Sequence, residues 1–317
     1  MRIQICGFYG FGNVGDEAIL QSIMDQLGNH EYIISTSLPY SHESFQNYSK
    51  ITGKEIRLHE DMRTDFDAYI LGGGDLNWGY GWRQCLSIFS KNIPSMNYAV
   101  GYNKRWYYNE KFHKLYYEFL KNFNVITVRD EPSLNLIREI SYGLNPILTF
   151  DPSILLKEEK FDECPTNKIV VFPRYGDGSI SDEQQIEWLV NELKDVSNEV
   201  ILIACAPKND DGIDVDLNLC KQLRDKLVGS VIMDISPFEP RKLKYLISQS
   251  KIVYSGGRYH PVIFAMSHNI PFKFSPISES YSKNRHVLYM YQKFGRDMII
   301  ALANRNKELF FKHCCGN

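Results

Sequence analysis

Two Rossmann-like α/β domains facing a cleft are predicted by three features of the sequence. Short β-branched or apolar runs alternate with helix-length amphipathic stretches from end to end, the pattern of parallel sheets covered by helices. A charged, proline-containing, aperiodic stretch, KEEKFDECPTN at 157–167, splits that alternation into two runs, as a domain junction does. Three glycine clusters each follow an apolar strand, two in the first half and one in the second. Ligands of open α/β sheets sit beyond the carboxyl ends of strands, where glycine lets backbone amides approach an anion.

In the first run the strands are read at Ile3–Phe8, Tyr32–Thr36, Ala68–Leu71, Ser95–Val100, Val125–Val128 and Ile147–Phe150, with helices at 16–27, 107–122 and 133–140. In the second they are read at Ile169–Phe172, Val200–Ala204, Val231–Met233, Ile252–Ser255 and Phe272–Phe274, with helices at 182–194, 215–227, 240–249 and 260–268. The tail from 284 to 313 reads as one or two helices with a basic face carrying Arg285, Lys293, Arg296 and Arg305. That face is solvated, packs across the junction or rests on an anionic membrane surface. The expected domains are 1–156, 157–283 and a helical tail, 284–317.

Composition narrows the function. A length of 317 residues suits two domains. With 44% hydrophobic and 23% charged residues, disordered and coiled-coil readings are out. Lys and Arg number 36 against 38 Asp and Glu, so the electrostatic footprint of a general nucleic-acid binder is missing and any anion is bound locally. No apolar run approaches the roughly 18 residues of a spanning helix, and MRIQICGFYG lacks the character of a signal peptide. A soluble, cytoplasmic protein is expected. The seven cysteines show no CxxC spacing, so buried reduced thiols are expected, with Cys314 and Cys315 exposed at the end of the chain, and no metal site.

The clusters are GFYGFGNVGDE at 7–17, LGGGDLNWG at 71–79 and YSGGRYHP at 254–261. The first contains GxGxxG as Gly10, Gly12 and Gly15, yet Asp16 and Glu17 fall where the next helix begins and already complement the dipole end a pyrophosphate would occupy. The second strand also ends without an acidic residue for a ribose hydroxyl. Asp16 is either the helix N-cap or a group that orients an acceptor hydroxyl. Walker, HExxH and GxSxG motifs are absent. Anion binding with acid–base chemistry remains.

In SGGRYHPVIFAM, Gly257 ends a strand and Arg258 and His260 follow on the loop. A guanidinium grips phosphate or carboxylate bidentately, and a histidine two residues on donates a proton near neutral pH. Arg129 in ITVRDEPS and Arg174 in VVFPRYGDG also follow strands directly; each is an anion ligand or, respectively, an ion-pair partner of its acidic neighbours and an exposed loop residue. Asp151 in TFDPS is a catalytic acid or an Asx-turn. Trp78, Tyr80 and Trp82 form a sugar platform or belong to core or interface.

Taken in order, GFYGFGNVGDEAIL, ILGGGDL, ITVRDEPS, TFDPS and SGGRYHPVIFAMSHNIP resemble the segments of the polysaccharide pyruvyl transferase family across nearly the whole chain. The resemblance implies a fold like the two-domain glycosyltransferase B (GT-B) architecture, with acceptor on the first domain and donor on the second. It implies phosphoenolpyruvate as co-substrate without a further cofactor, and a sugar, oligosaccharide or lipid-linked glycan as acceptor, joined as a pyruvate ketal. On it, Arg258, Arg129, Arg174, Gly257 and Tyr259 are donor-binding, His260 and Asp16 catalytic, and Asn13, Asp75 and Trp78 acceptor-binding. Tyr259 stands where the family commonly has leucine, and SPISESYSK where it has Tyr-Asp-Pro-Lys. Two other readings of the same chain are a GT-B glycosyltransferase or epimerase using a nucleotide sugar, and a non-catalytic sugar- or anion-binding subunit of polysaccharide assembly.

Overall fold

The computed structural model describes residues 1–36, 55–58, 65–74, 92–102, 110–140, 143–175, 181–206, 215–275 and 282–315. The chain divides into two compact units: Met1–Phe11, Ile19–Leu155 and Asp297–Asn317 form the first, Gly12–Ala18 and Leu156–Arg296 the second. The division cuts helix α1 (Val14–Leu27), whose first turn is grouped with the second unit.

In the first unit, strands β1 (Arg2–Cys6), β2 (Glu31–Thr36), β3 (Glu55–Leu58), β4 (Ala68–Gly72), β5 (Ser95–Val100), β6 (Val125–Val128) and β7 (Ile147–Leu148) form a parallel sheet in the order β3-β2-β1-β4-β5-β6-β7. Every residue of β4, β5 and β6 is buried, which is why these strands read as near-continuous apolar runs. Strand β3 was not expected: EIRL is four residues long, alternates charged and apolar residues in sequence and, among the described residues, pairs with β2 alone, so no apolar run announces it. Helices α2 (Glu110–Leu120) and α3 (Glu131–Ile140) connect the later strands, α3 capped by Asp130, whose carboxylate accepts from the Ser133 amide at 2.8 Å. The strand order turns back between β1 and β4. There Tyr9 is fully buried and its hydroxyl donates to the Gly72 carbonyl at 2.6 Å, filling the crevice where an open sheet of this kind takes a dinucleotide.

The second unit carries β8 (Ile169–Phe172), β9 (Val200–Leu202), β10 (Val231–Ile232), β11 (Ile252–Ser255) and β12 (Phe272–Phe274), all parallel, in the order β10-β9-β8-β11-β12. Its helices are α4 (Asp182–Leu193), α5 (Asp216–Lys226), α6 (Pro240–Ser248) and α7 (Tyr259–Ser267). Helix α4 starts at a capping box, Ser181 with Gln184. Helix α7 buries every residue from Pro261 to Ser267 and so runs through the core rather than over it. The order of this sheet turns back between β8 and β11.

The tail is α8 (Ser282–Cys314), interrupted at Gly295, whose φ of 69° no helix tolerates. The division between units falls one residue later. Within the first unit Asn306 is fully buried; it accepts from Thr127 Oγ1 at 2.7 Å and donates to the Phe150 carbonyl at 3.2 Å. Cys314 is 5% exposed rather than solvent-facing, because the last turn packs its apolar residues inward with it. No helix among the described residues is long and apolar enough to cross a membrane.

Lys244 on α6 is 3% exposed, its ammonium 5.7 Å from the Phe264 ring. Burial drives its pKa down to about 7, with Glu158 opposing and Arg296 reinforcing the fall. The unfolded chain therefore holds a proton that the fold sheds, and this contribution to stability rises from about pH 7 to the ordinary lysine range and is lost as pH falls through 7. Thermal unfolding at several pH values checks this: Lys244→Met should flatten the rise.

Candidate functional site

Each unit of an open parallel sheet offers one natural ligand site, the carboxyl ends of the strands at which the order reverses. In the second unit those strands are β8 and β11, followed by Arg174 and by Gly256, Gly257 and Arg258. Gln185 on α4 seals the two loops together, accepting from the Arg174 amide and donating to its carbonyl, both at 2.9 Å. A β-carbon at Gly256 would overlap the Gln185 carbonyl oxygen, so only glycine admits this clasp. The Arg174 guanidinium donates to the Gly257 carbonyl at 3.3 Å. Ser255 Oγ accepts from the Gly257 amide at 3.2 Å and donates to the Arg258 carbonyl at 2.8 Å, fixing the turn that launches α7.

Arg258 is the N-cap residue of α7, and its own side chain makes no capping hydrogen bond. Its Nη2 donates to Asp216 Oδ1 at 2.6 Å. Burial disfavours the charged guanidinium, but the charge and hydrogen bond of Asp216, with Cys205 and Asp16 adding, hold Arg258 above its ordinary value. Its Nε is buried and has no hydrogen-bond partner among the described residues. A buried N–H left in that state costs about 1–3 kcal/mol, and more when the group is charged, and such exceptions call for an explanation.

The start of α1 completes the site, since Gly12–Ala18 lies in this same unit. Asn13, expected as an acceptor ligand, caps the helix: its Oδ1 accepts from the Gly15 amide at 3.1 Å and its carbonyl from the Asp16 and Glu17 amides at 3.1 and 3.2 Å. The Val14 amide donates to the Cys205 carbonyl at 3.0 Å. The cap is thus Asn13 and not Asp16, and all four leading amides are taken, leaving no cradle for a pyrophosphate. Asp16 is 7% exposed and electrostatically coupled to Arg258.

His260 packs against this turn. A β-carbon at Gly15 would overlap Nδ1, Cε1 and Cγ of the imidazole. Gly15 is therefore glycine to seat His260, and not to admit a nucleotide. Tyr259 stacks edge-on against His260, centroids 5.3 Å apart. Gly15→Ala is expected to leave the fold intact and displace His260, cutting turnover at least tenfold; circular dichroism with a turnover assay reads the two effects separately.

The structure thus brings together Asn13, Asp16, Arg174, Gly257, Arg258, Tyr259 and His260 in one unit. Arg129 lies in the other: it is 2% exposed, donates from Nη1 to Asp151 Oδ2 at 3.1 Å and has Asp130 3.8 Å from Nε. Asp151 is an Asx-turn, accepting from the Ser153 amide at 3.0 Å. Asp75 and Trp78 lie outside the described residues. Asp216 was not foreseen, because an acid opening a helix after a polar loop carries no signal beyond capping. Phe8 and Phe11, half-buried and stacked with centroids 4.0 Å apart at 6°, were also missed; they sit on the loop after β1, at the reversal point of the first sheet.

Two parallel α/β units, each with glycine loops where its strand order reverses, define the architecture of the GT-B glycosyltransferases and epimerases. Solved structures share it: the UDP-GlcNAc 2-epimerase from Neisseria meningitidis bound to UDP-GlcNAc (TM-score 0.51, 12% identity, all of both chains), the S. aureus MnaA–UDP co-structure (0.58, 11%, 99% of this chain and 96% of that one), and the spinosyn rhamnosyltransferase SpnG (0.53, 9%, all of both chains). At such identities the likeness is one of fold. No curated protein matches the sequence. The chain belongs to the polysaccharide pyruvyl transferase family, whose profile matches residues 13–272.

Proposed function

We propose that the protein transfers pyruvate from phosphoenolpyruvate to a sugar residue of a polysaccharide or its precursor, forming a cyclic ketal and releasing phosphate. The observation that carries this reading is the buried Nε–H of Arg258, without an acceptor among the described residues, at the reversal point of the second sheet, two residues before His260 and at the start of α7. A donor with both phosphate and carboxylate groups suits a guanidinium, a second arginine at 174 and a helix N-terminus in one place. Gly257 and Tyr259 shape the turn that carries them.

In this scheme His260 gives a proton to the methylene carbon, which becomes a methyl group and leaves an oxocarbenium-like centre at the adjacent carbon. One acceptor hydroxyl adds there, and the second displaces phosphate, each hydroxyl losing its proton. Asp16 takes the proton of one of those hydroxyls or positions it. Asn13, Asp75 and Trp78 are assigned to the acceptor. Arg129, bound to Asp151, is assigned to the interior of the first unit.

Reaction with glycan acceptors in deuterium oxide tests the scheme. One deuterium in the methyl group of the ketal, with phosphate released one for one, is expected. A ketal whose methyl group acquires none, or turnover only with a nucleotide sugar, would overturn it.

A further inference from the structure

The buried carboxylate of Asp216 is a poor candidate for a stabilising ion pair and a good one for an aiming device. It is fully buried at the first position of α5, and Val215 before it supplies no side-chain cap, yet the carboxylate is spent elsewhere. Oδ1 accepts from Arg258 Nη2 at 2.6 Å and from the Tyr175 amide at 3.0 Å; Oδ2 accepts from the Ala206 amide at 3.1 Å. One side chain thereby joins the loops that follow β8, β9 and β11. Replacing a buried pair by apolar residues is commonly neutral or stabilising, so the cost of burying this one is not repaid as stability. What it supplies is an anchor: with Nη2 held by Asp216, the planar guanidinium is tied to these three loops, while its Nε–H, for which no described residue is an acceptor, is left for a ligand.

We infer that Asp216 is the positioning residue of the anion site: it holds Arg258 by Nη2 so that the Nε–H is presented to the donor's phosphate or carboxylate. The inference rests on the donor reading above but concerns the anion and not the whole donor, so inorganic phosphate probes it independently.

The test is calorimetric titration of phosphoenolpyruvate and of inorganic phosphate into the wild type, Asp216→Asn, Arg258→Gln and the double variant. Asparagine keeps the shape and one acceptor while removing the charge that holds the fork. Asp216→Asn should weaken both ligands roughly tenfold, and this loss should largely vanish in the Arg258→Gln background, because residues acting through one another are non-additive. A merely structural role would weaken binding equally with and without Arg258, and that outcome, or no weakening at all, overturns the inference. Phosphate binding without phosphoenolpyruvate binding overturns the donor reading alone, and the phosphate series then decides for Asp216. If neither binds the wild type, both fall.

A second readout needs no variant at position 216. In the wild type the Arg258 Nε–H resonance, assigned by its loss in Arg258→Gln, should shift on adding phosphate; an unmoved resonance at saturating phosphate counts against the inference even if Asp216→Asn fails to fold.

Discussion

His260→Gln should lower ketal formation by about 10²–10⁴-fold, the usual worth of a positioned general acid, while phosphoenolpyruvate binding stays within a few-fold of the wild type. The reason is the division of labour along four residues. In the proposed scheme Arg258 and the start of α7 take the anion, whereas His260, one residue into the helix, is held against Gly15 and Tyr259 and takes the role of acid. Glutamine keeps a polar side chain of similar reach but has no proton to deliver to carbon. Single-turnover phosphate release with a calorimetric binding constant separates the two quantities. Full turnover in His260→Gln would remove the acid from its assigned position.

Arg129→Ala should destabilise the first unit by about 3–5 kcal/mol, because it leaves the fully buried Asp151 carboxylate without its counter-charge. Asp151 also organises the turn at Ser153, so the damage spreads to the end of the sheet. The double replacement Arg129→Met with Asp151→Leu should recover most of the loss, since it removes the charge as well as its partner. Chemical denaturation of the three forms reads this directly. A donor ligand in the same position would behave differently: its removal would weaken phosphoenolpyruvate binding and leave stability nearly unchanged.

Much of the fold was legible because parallel strands buried on both faces must be apolar throughout. Val125–Val128, Ile169–Phe172 and Ile252–Ser255 were read from that property and occupy those same residues. Strand β3 was not legible, as among the described residues it answers to one neighbour. Glycine positions were visible, but their reasons were not: Gly15 and Gly256 exist to admit His260 and Gln185, contacts that join residues far apart in sequence. The same holds for Asp216, which meets Arg258 across 42 positions. Asp16 showed its charge but not its place, because the cap was taken by Asn13 three residues earlier. The charge on Arg129 likewise gave no sign of whether it faced a ligand or a buried partner.

The most direct measurement is a calorimetric titration of phosphoenolpyruvate into the wild-type protein and Arg258→Ala, with uridine diphosphate as control. The expected result is saturable phosphoenolpyruvate binding that weakens by an order of magnitude or more in Arg258→Ala, with no heat from the nucleotide. Binding of the nucleotide but not of phosphoenolpyruvate, or phosphoenolpyruvate binding indifferent to Arg258, would contradict it.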